Sequence, residues 1–146
     1  MAALQSRGET LFSTNAVWRY LKGTEEASFP TRGEWRKPSF DDSGWTPAHA
    51  PFFYGDPLSG TELSDMRGFY TSVFLRRSFV VQGAADINQL DLDLYIDDGC
   101  LIWINDSLID RENVPDGDLE FNRTAQGTIN VLTFNVDALR LTQNHA

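Results

Sequence analysis

Side chains able to do chemistry sit in this sequence between turn-forming residues. Trp35 stands in the polar stretch Arg32-Gly33-Glu34-Trp35-Arg36-Lys37, the most exposed setting among the four tryptophans. Tyr54 and Asp56 share Tyr54-Gly55-Asp56, and Arg111 and Asn113 share Arg111-Glu112-Asn113. A sugar ring offers an apolar C–H face and a rim of hydroxyls. A flat aromatic surface beside planar donors and acceptors such as Asp, Asn and Arg is what such a ring needs. Loops held by a rigid scaffold are where residues of this kind collect. The alternative for each is a solvated loop residue, or for Trp35 packing over the end of the fold.

Two acidic clusters suit a hard cation. Asp116, Asp118 and Glu120 place three carboxylates at alternate positions, and Asp97-Asp98 adds two more. Calcium takes about six to eight oxygens, so either cluster needs backbone carbonyls or a second segment. Solvated turns are the competing reading. Twenty-one Asp and Glu are present, so paired carboxylates for glycoside hydrolysis carry little weight as a signal. There is no nucleophile elbow and no phosphate loop. Cys100 lies in an apolar run and reads as a small buried hydrophobe. With His49 and His145 it makes too small a set for zinc. Asn105-Asp106-Ser107 and Asn122-Arg123-Thr124 match the N-glycosylation pattern, which matters only in a eukaryotic secretory pathway.

Charge narrows the partners. The 146 residues carry a formal net charge of −9. A nucleic-acid binder needs a basic face to displace counterions, and an acidic field repels polyanions and anionic membranes. Neutral ligands, cations and other proteins remain, and a small local basic patch is compatible with the total. Hydrophobic residues make up 41%, enough to bury a core and to set disorder aside. One cysteine excludes an intrachain disulfide. No apolar run reaches the 18 residues of a membrane span, and Met1 to Thr14 lacks the pattern of a signal peptide.

The elements that must position these residues are short strands. Leu90, Leu92, Leu94 and Ile96 alternate with Asp91, Asp93, Tyr95 and Asp97, so one face meets a core and the other meets water. Asp97-Asp98-Gly99 predicts a hairpin into Leu101–Ile104, and Asn105-Asp106-Ser107 a turn into a strand starting at Leu108. Phe69 to Val81 reads as a long extended segment, with Arg76-Arg77 at its centre divided between a sheet face and an edge. Leu132, Phe134 and Val136 mark a further strand. Five of the six prolines fall between Glu25 and Gly68, predicting long loops with brief strands. Ala84 to Gln89 and Asp137 to Leu141 are the weak helical candidates, about one turn each. Trp18 and Trp103 read as core. Trp45 plugs a turn that Asp41, Asp42 and Ser43 hold through side-chain bonds to backbone N–H groups. Residues 1–13 read as a disordered or linker N-terminus and 14–146 as one all-β domain, a β-sandwich.

Several elements in order resemble the galactose-binding-like jelly-roll superfamily, and in particular the accessory domains of large secreted bacterial proteins and carbohydrate-active enzymes. The sugar-binding domain of family-two glycoside hydrolases shares that architecture. The elements are Trp18-Arg19-Tyr20-Leu21, Trp35, Phe40-Asp41-Asp42-Ser43-Gly44-Trp45, Phe53-Tyr54-Gly55-Asp56, Phe74-Leu75-Arg76-Arg77-Ser78-Phe79, Asp97-Asp98-Gly99, Leu101-Ile102-Trp103-Ile104-Asn105-Asp106 and Asp110-Arg111-Glu112-Asn113-Val114-Pro115. They cover about Thr14 to Leu141. Where relatives have Asn-Gly this chain has Asn105-Asp106, which a left-handed turn tolerates. Where relatives continue through a Gly-rich turn into further strands, this chain stops at Leu141-Thr142-Gln143-Asn144-His145-Ala146. The resemblance therefore implies a fragment, or an open sheet edge available for self-association.

The resemblance implies a non-catalytic accessory domain, extracellular or in the cell envelope, that binds carbohydrate or packs against a neighbouring domain of the same polypeptide. Trp35, Tyr54, Asp56, Asp98, Arg111 and Asn113 are the expected ligand-facing residues at the loop end. Some members hold a structural calcium. The competing expectation is a structural spacer or protein-interaction β-sandwich without a sugar site. A catalytic domain would require two carboxylates converging in a deep pocket, one of them desolvated.

Overall fold

The computed structural model describes residues 2–6, 9–82, 90–128 and 132–137. They form an all-β fold with a single turn of 3-10 helix at Glu34–Arg36. The strands are β1 Ala2–Ser6, β2 Glu9–Phe12, β3 Val17–Lys22, β4 Thr46–His49, β5 Phe52–Phe53, β6 Thr61–Glu62, β7 Val73–Arg76, β8 Leu90–Ile96, β9 Cys100–Ile104, β10 Ser107–Glu112 and β11 Leu132–Asp137. One sheet has the order β11-β8-β1-β2, a second β4-β3-β7, and β9-β10 and β5-β6 form two further pairs.

Strand β8 folds as its period of two dictates. Leu90 is fully buried and Leu92 nearly so, while Asp93 and Tyr95 face water. Leu90 and Leu92 meet Phe12 of β2, and Ile102, Ile104 and Ile109 of the β9–β10 pair close over them with Trp18 of β3. Phe12 and Trp18 meet edge to face at 5.6 Å. A second core gathers Ala27, Trp35 and Trp45, with Leu21, Phe40, Phe74 and Trp103 packed against it. The turn before Trp45 is held as expected: the Ser43 N–H donates to Asp41 Oδ1 at 2.9 Å, and the Trp45 N–H to the Asp42 carbonyl at 2.9 Å.

Three expectations change. Residues 1–13 are not a linker where they are described, since β1 and β2 are hydrogen-bonded members of the first sheet and Phe12 is a core residue. Asp97-Asp98-Gly99 does not close a hairpin: β8 pairs with β1 and β11, and β9 with β10, so the turn carries the chain from one sheet to another. A turn signal specifies reversal of the chain and leaves the pairing partner open. Gly99 is needed there by close approach, because a Cβ would stand 2.9 Å from the Glu112 carbonyl oxygen and 2.9 Å from Val114 Cγ1. The extended segment Phe69 to Val81 reduces to β7, with Phe69 and Val80 outside it at 81% and 74% exposure. Ala84–Gln89, Asp137–Leu141 beyond its first residue, and the chain end from 138 to 146 lie outside the described residues.

Candidate functional site

Trp35, expected as an exposed platform, is only 8% exposed. Its ring meets Phe74 at 5.2 Å, Trp103 at 5.3 Å and Trp45 at 6.1 Å, so protein rings occupy the faces a sugar would need. The cause is local. The 3-10 turn Glu34–Arg36 points Trp35 inward, with Glu34 paired to Lys37 on its outer side and Arg36, itself only 16% exposed, lying over the Trp103 ring. The backbone is pinned as well: the Trp35 N–H donates to Ser28 Oγ at 3.2 Å, and the Arg76 guanidinium donates to the Trp35 carbonyl. Arg76 also bonds Asp42 Oδ2 at 2.9 Å. Polar neighbours in sequence do not mark Trp35 as exposed, because a charged residue can itself be buried by an ion pair and a ring contact, as Arg36 is.

Of the other expected ligand residues, Asp56, Asp98 and Asn113 converge at one loop end. Asp97 has its pKa raised above the usual carboxylate range, by desolvation first, then by a hydrogen bond with Asp98 and the charges of Asp98 and Asp56. Asn113 Nδ2 donates to the Asp98 carbonyl at 2.9 Å and to the Gly127 carbonyl at 2.6 Å. Arg111 donates to the Pro115 carbonyl, and to that of Gly117 at 2.7 Å. Both donor groups thus tie loops of this chain together, which weakens their reading as a rim for ligand. Tyr54 is half exposed on the loop that carries Asp56.

Of the alternating carboxylates Asp116, Asp118 and Glu120, expected as calcium ligands, the last two pair with arginines. Asp118 pairs with Arg36 at 2.6 Å and with Arg32 at 3.6 Å, and Glu120 with Arg32 at 3.5 Å. Arg32 also pairs with Glu26 at 3.1 Å. Guanidinium groups supply the positive charge a cation would have brought. Among the described residues no group of three or more His, Cys, Asp or Glu gathers as a metal site. Cys100 is half-buried, and burial, with Asp110 and Glu112 nearby, pushes its thiol up to about 12, so it stays a neutral thiol at ordinary pH.

The concave feature the sequence did not announce lies elsewhere. A groove of about 320 Å3 is lined by Gly23, Thr24, Gly68, Phe69, Tyr70, Thr71, Phe121 and Asn122. It forms where the end of β3 meets the approach to β7 and the loop around Phe121. Gly23 makes the junction possible: its N–H donates to the Ser72 carbonyl at 2.9 Å, and a Cβ there would stand 2.7 Å from that same oxygen. Ser72 Oγ in turn donates to the Phe121 carbonyl. Gly68 turns the chain at φ +80°, a backbone conformation glycine adopts freely.

One wall of the groove is braced by three side chains. Tyr70 is buried, and its hydroxyl donates to Asp65 Oδ1 at 2.9 Å. Lys22 Nζ donates to Asp65 Oδ2 at 2.6 Å and lies 5.7 Å from the Tyr70 ring centroid. The bonds from Lys22, then Tyr70, hold Asp65 below the ordinary carboxylate value. Desolvation first, then the bond to Asp65, holds the Tyr70 phenol above its ordinary range. Phe69, next to Tyr70, is left 81% exposed on the groove. The signal that could have found it is the glycine before two adjacent aromatics in Gly68-Phe69-Tyr70, since only one of two successive side chains can point inward.

No family model matches this chain, and no curated protein or solved structure matches it either.

Proposed function

We propose that this chain is a non-catalytic carbohydrate-binding domain of a larger extracellular or cell-envelope protein, and that its sugar site is the groove at Phe69. The observation that carries this is the composition of that groove: an exposed aromatic face beside the hydroxyls of Thr24 and Thr71 and the amide of Asn122. An aromatic plane takes the C–H face of a pyranose, and hydroxyl and amide groups take its rim. The sheets packed on shared apolar cores support the finer reading of a galactose-binding-like jelly roll. A glycan array followed by calorimetric titration of any hit tests the site. Phe69→Ala is expected to weaken binding roughly tenfold, about 1.4 kcal/mol, and Asn122→Ala to weaken it less. Absence of binding to every glycan at millimolar concentration would sink the proposal.

A second reading, an interaction domain packed on a neighbour, is favoured by Phe29, which is 93% exposed. Phe29→Ser leaves glycan affinity unchanged if the site is at Phe69. If Phe29 serves an interface between copies of this chain, the same variant lowers self-association in sedimentation velocity.

A further inference from the structure

Two walls of the groove belong to the sheet framework, and the third does not. Gly23 and Thr24 follow β3, and Gly68 to Thr71 lead toward β7, whereas Phe121 and Asn122 come from a loop closed at its neck. The Gln126 N–H donates to the Asn113 carbonyl at 2.8 Å, and Asn113 Nδ2 to the Gly127 carbonyl at 2.6 Å. A compact surface loop with joined ends is an Ω-loop. At its far end the Arg123 N–H donates to the Glu120 carbonyl at 3.1 Å, a turn with Phe121 and Asn122 at its corner. Among the described residues, neither apolar core takes a member from 113–127. Polar contacts hold the loop to the framework instead. Arg32 meets Glu26, Asp118 and Glu120, and Arg36 meets Asp118. The Phe121 N–H donates to Glu26 Oε1 at 3.3 Å, and Ser72 Oγ donates to the Phe121 carbonyl. A segment with few buried apolar contacts opens at less cost than the core around it.

Resting on the reading of the groove as a sugar site, we propose that the segment from Asn113 to Gln126 is a hinged strap, docked by Arg32 and Glu26, and that sugar binds only while it is docked. Arg32 and Glu26 are positioning residues: they hold the loop, and the loop places Phe121 and Asn122. The fit is close where the strap lands, since a Cβ on Gly23 would stand 3.1 Å from the Phe121 carbonyl oxygen. Every lining side chain is uncharged, so salt has no charge in the groove to screen when a neutral sugar binds. Salt does screen the half-exposed pairs of the clamp. Affinity for a neutral sugar therefore follows the fraction of molecules with the strap docked.

Hydrogen exchange and calorimetry test this on the full chain, with lactose, cellobiose, maltose and any neutral hit of the glycan array as probes. The Phe121 amide is expected to lose protection roughly fivefold between 20 mM and 0.5 M NaCl, and as much in Arg32→Gln at 20 mM. The Gln126 amide at the neck and the β8 amides keep theirs. Parent affinity for a bound probe falls by a similar factor over that salt range. Arg32→Gln starts at the weaker value and loses nothing further, and Arg32→Lys recovers part of the difference. Unchanged Phe121 protection overturns the strap. So does loss of Phe121, Gln126 and β8 protection together, which is global destabilisation. A probe whose affinity drops in Phe69→Ala yet ignores both salt and Arg32→Gln overturns the coupling and leaves the sugar site standing. Phe121 protection that shifts as expected, with no glycan bound on the array or in titration, sinks the sugar reading and the coupling with it and leaves the strap. Circular dichroism of each variant confirms that the comparison is between folded proteins.

Discussion

Trp35 is held inward from its backbone as well as its ring. Ser28 accepts its N–H, Arg76 donates to its carbonyl, and Phe74, Trp45 and Trp103 surround the indole. Truncating it empties the centre of the second core, so Trp35→Ala should lower stability by about 3–5 kcal/mol in urea denaturation. Asp65 gives a prediction of a different kind. Its folded pKa lies below the ordinary value, so its contribution is complete above about pH 3.9 and is lost as pH falls through the lowered value. The denaturation midpoint of the parent should therefore fall toward that of Asp65→Asn below about pH 4, and stand above it at pH 7. The sequence announces residues of this scale unevenly. Trp18 and Trp103 lie in apolar runs and Trp45 behind a turn motif, and all three pack as those settings require. Trp35 departs from its expected exposure and Phe69 falls outside the extended segment expected to begin with it, because inward or outward direction in a short 3-10 turn or an irregular loop follows tertiary contacts and no period marks it.

At the scale of elements, the β9–β10 hairpin turns through Asn105 at φ 50° and Asp106 at φ 68°, the two left-handed positions of a two-residue hairpin loop. Glycine occupies the second at no steric cost. Asp106→Gly should raise thermal stability, by up to about 1 kcal/mol. Gly99→Ala should lower it by roughly 1–3 kcal/mol, since the end of β10 leaves no room for a methyl group. Strand β8 is legible in the sequence because its alternation is strict for seven residues. Its neighbours are not legible: pairing joins Leu92 to Leu4 on one side and Val136 on the other, and nothing local encodes a partner that distant. The same limit turned the expected Asp97-Asp98-Gly99 hairpin into a crossing between sheets.

Across the whole molecule, the segment from Glu26 to Arg36 is clamped to the segment from Asp118 to Phe121. Arg32 and Arg36 meet Asp118 and Glu120, and the Phe121 N–H reaches Glu26. Asp118 and Glu120 are about half exposed, so each ion pair alone contributes little. Arg36 adds a stacked contact, 4.4 Å from the Trp103 ring centroid. Arg36→Ala should cost about 2 kcal/mol, and Arg36→Lys should recover less than half of it, because an ammonium neither forks nor stacks. Hydrogen exchange of residues 116–121 reads the loss locally. The all-β class follows from alternation, proline-rich loops and the lack of any sustained helical period. The acidic total gave no hint of the clamp, since composition does not say which charges meet.

The central place of β1 has a consequence for how the molecule is made. Ala2 pairs with Leu94 and Ser6 with Leu90, so β1 waits for a partner 84 to 92 residues later in the sequence. At roughly 5–20 residues per second, that interval lasts several seconds during translation. For that time β1 and β2 have only one another. The open flank of their hairpin is a template on which a second nascent chain can add a strand before β8 arrives. Yield in expression should therefore depend on chain crowding during synthesis more than on the stability of the finished fold.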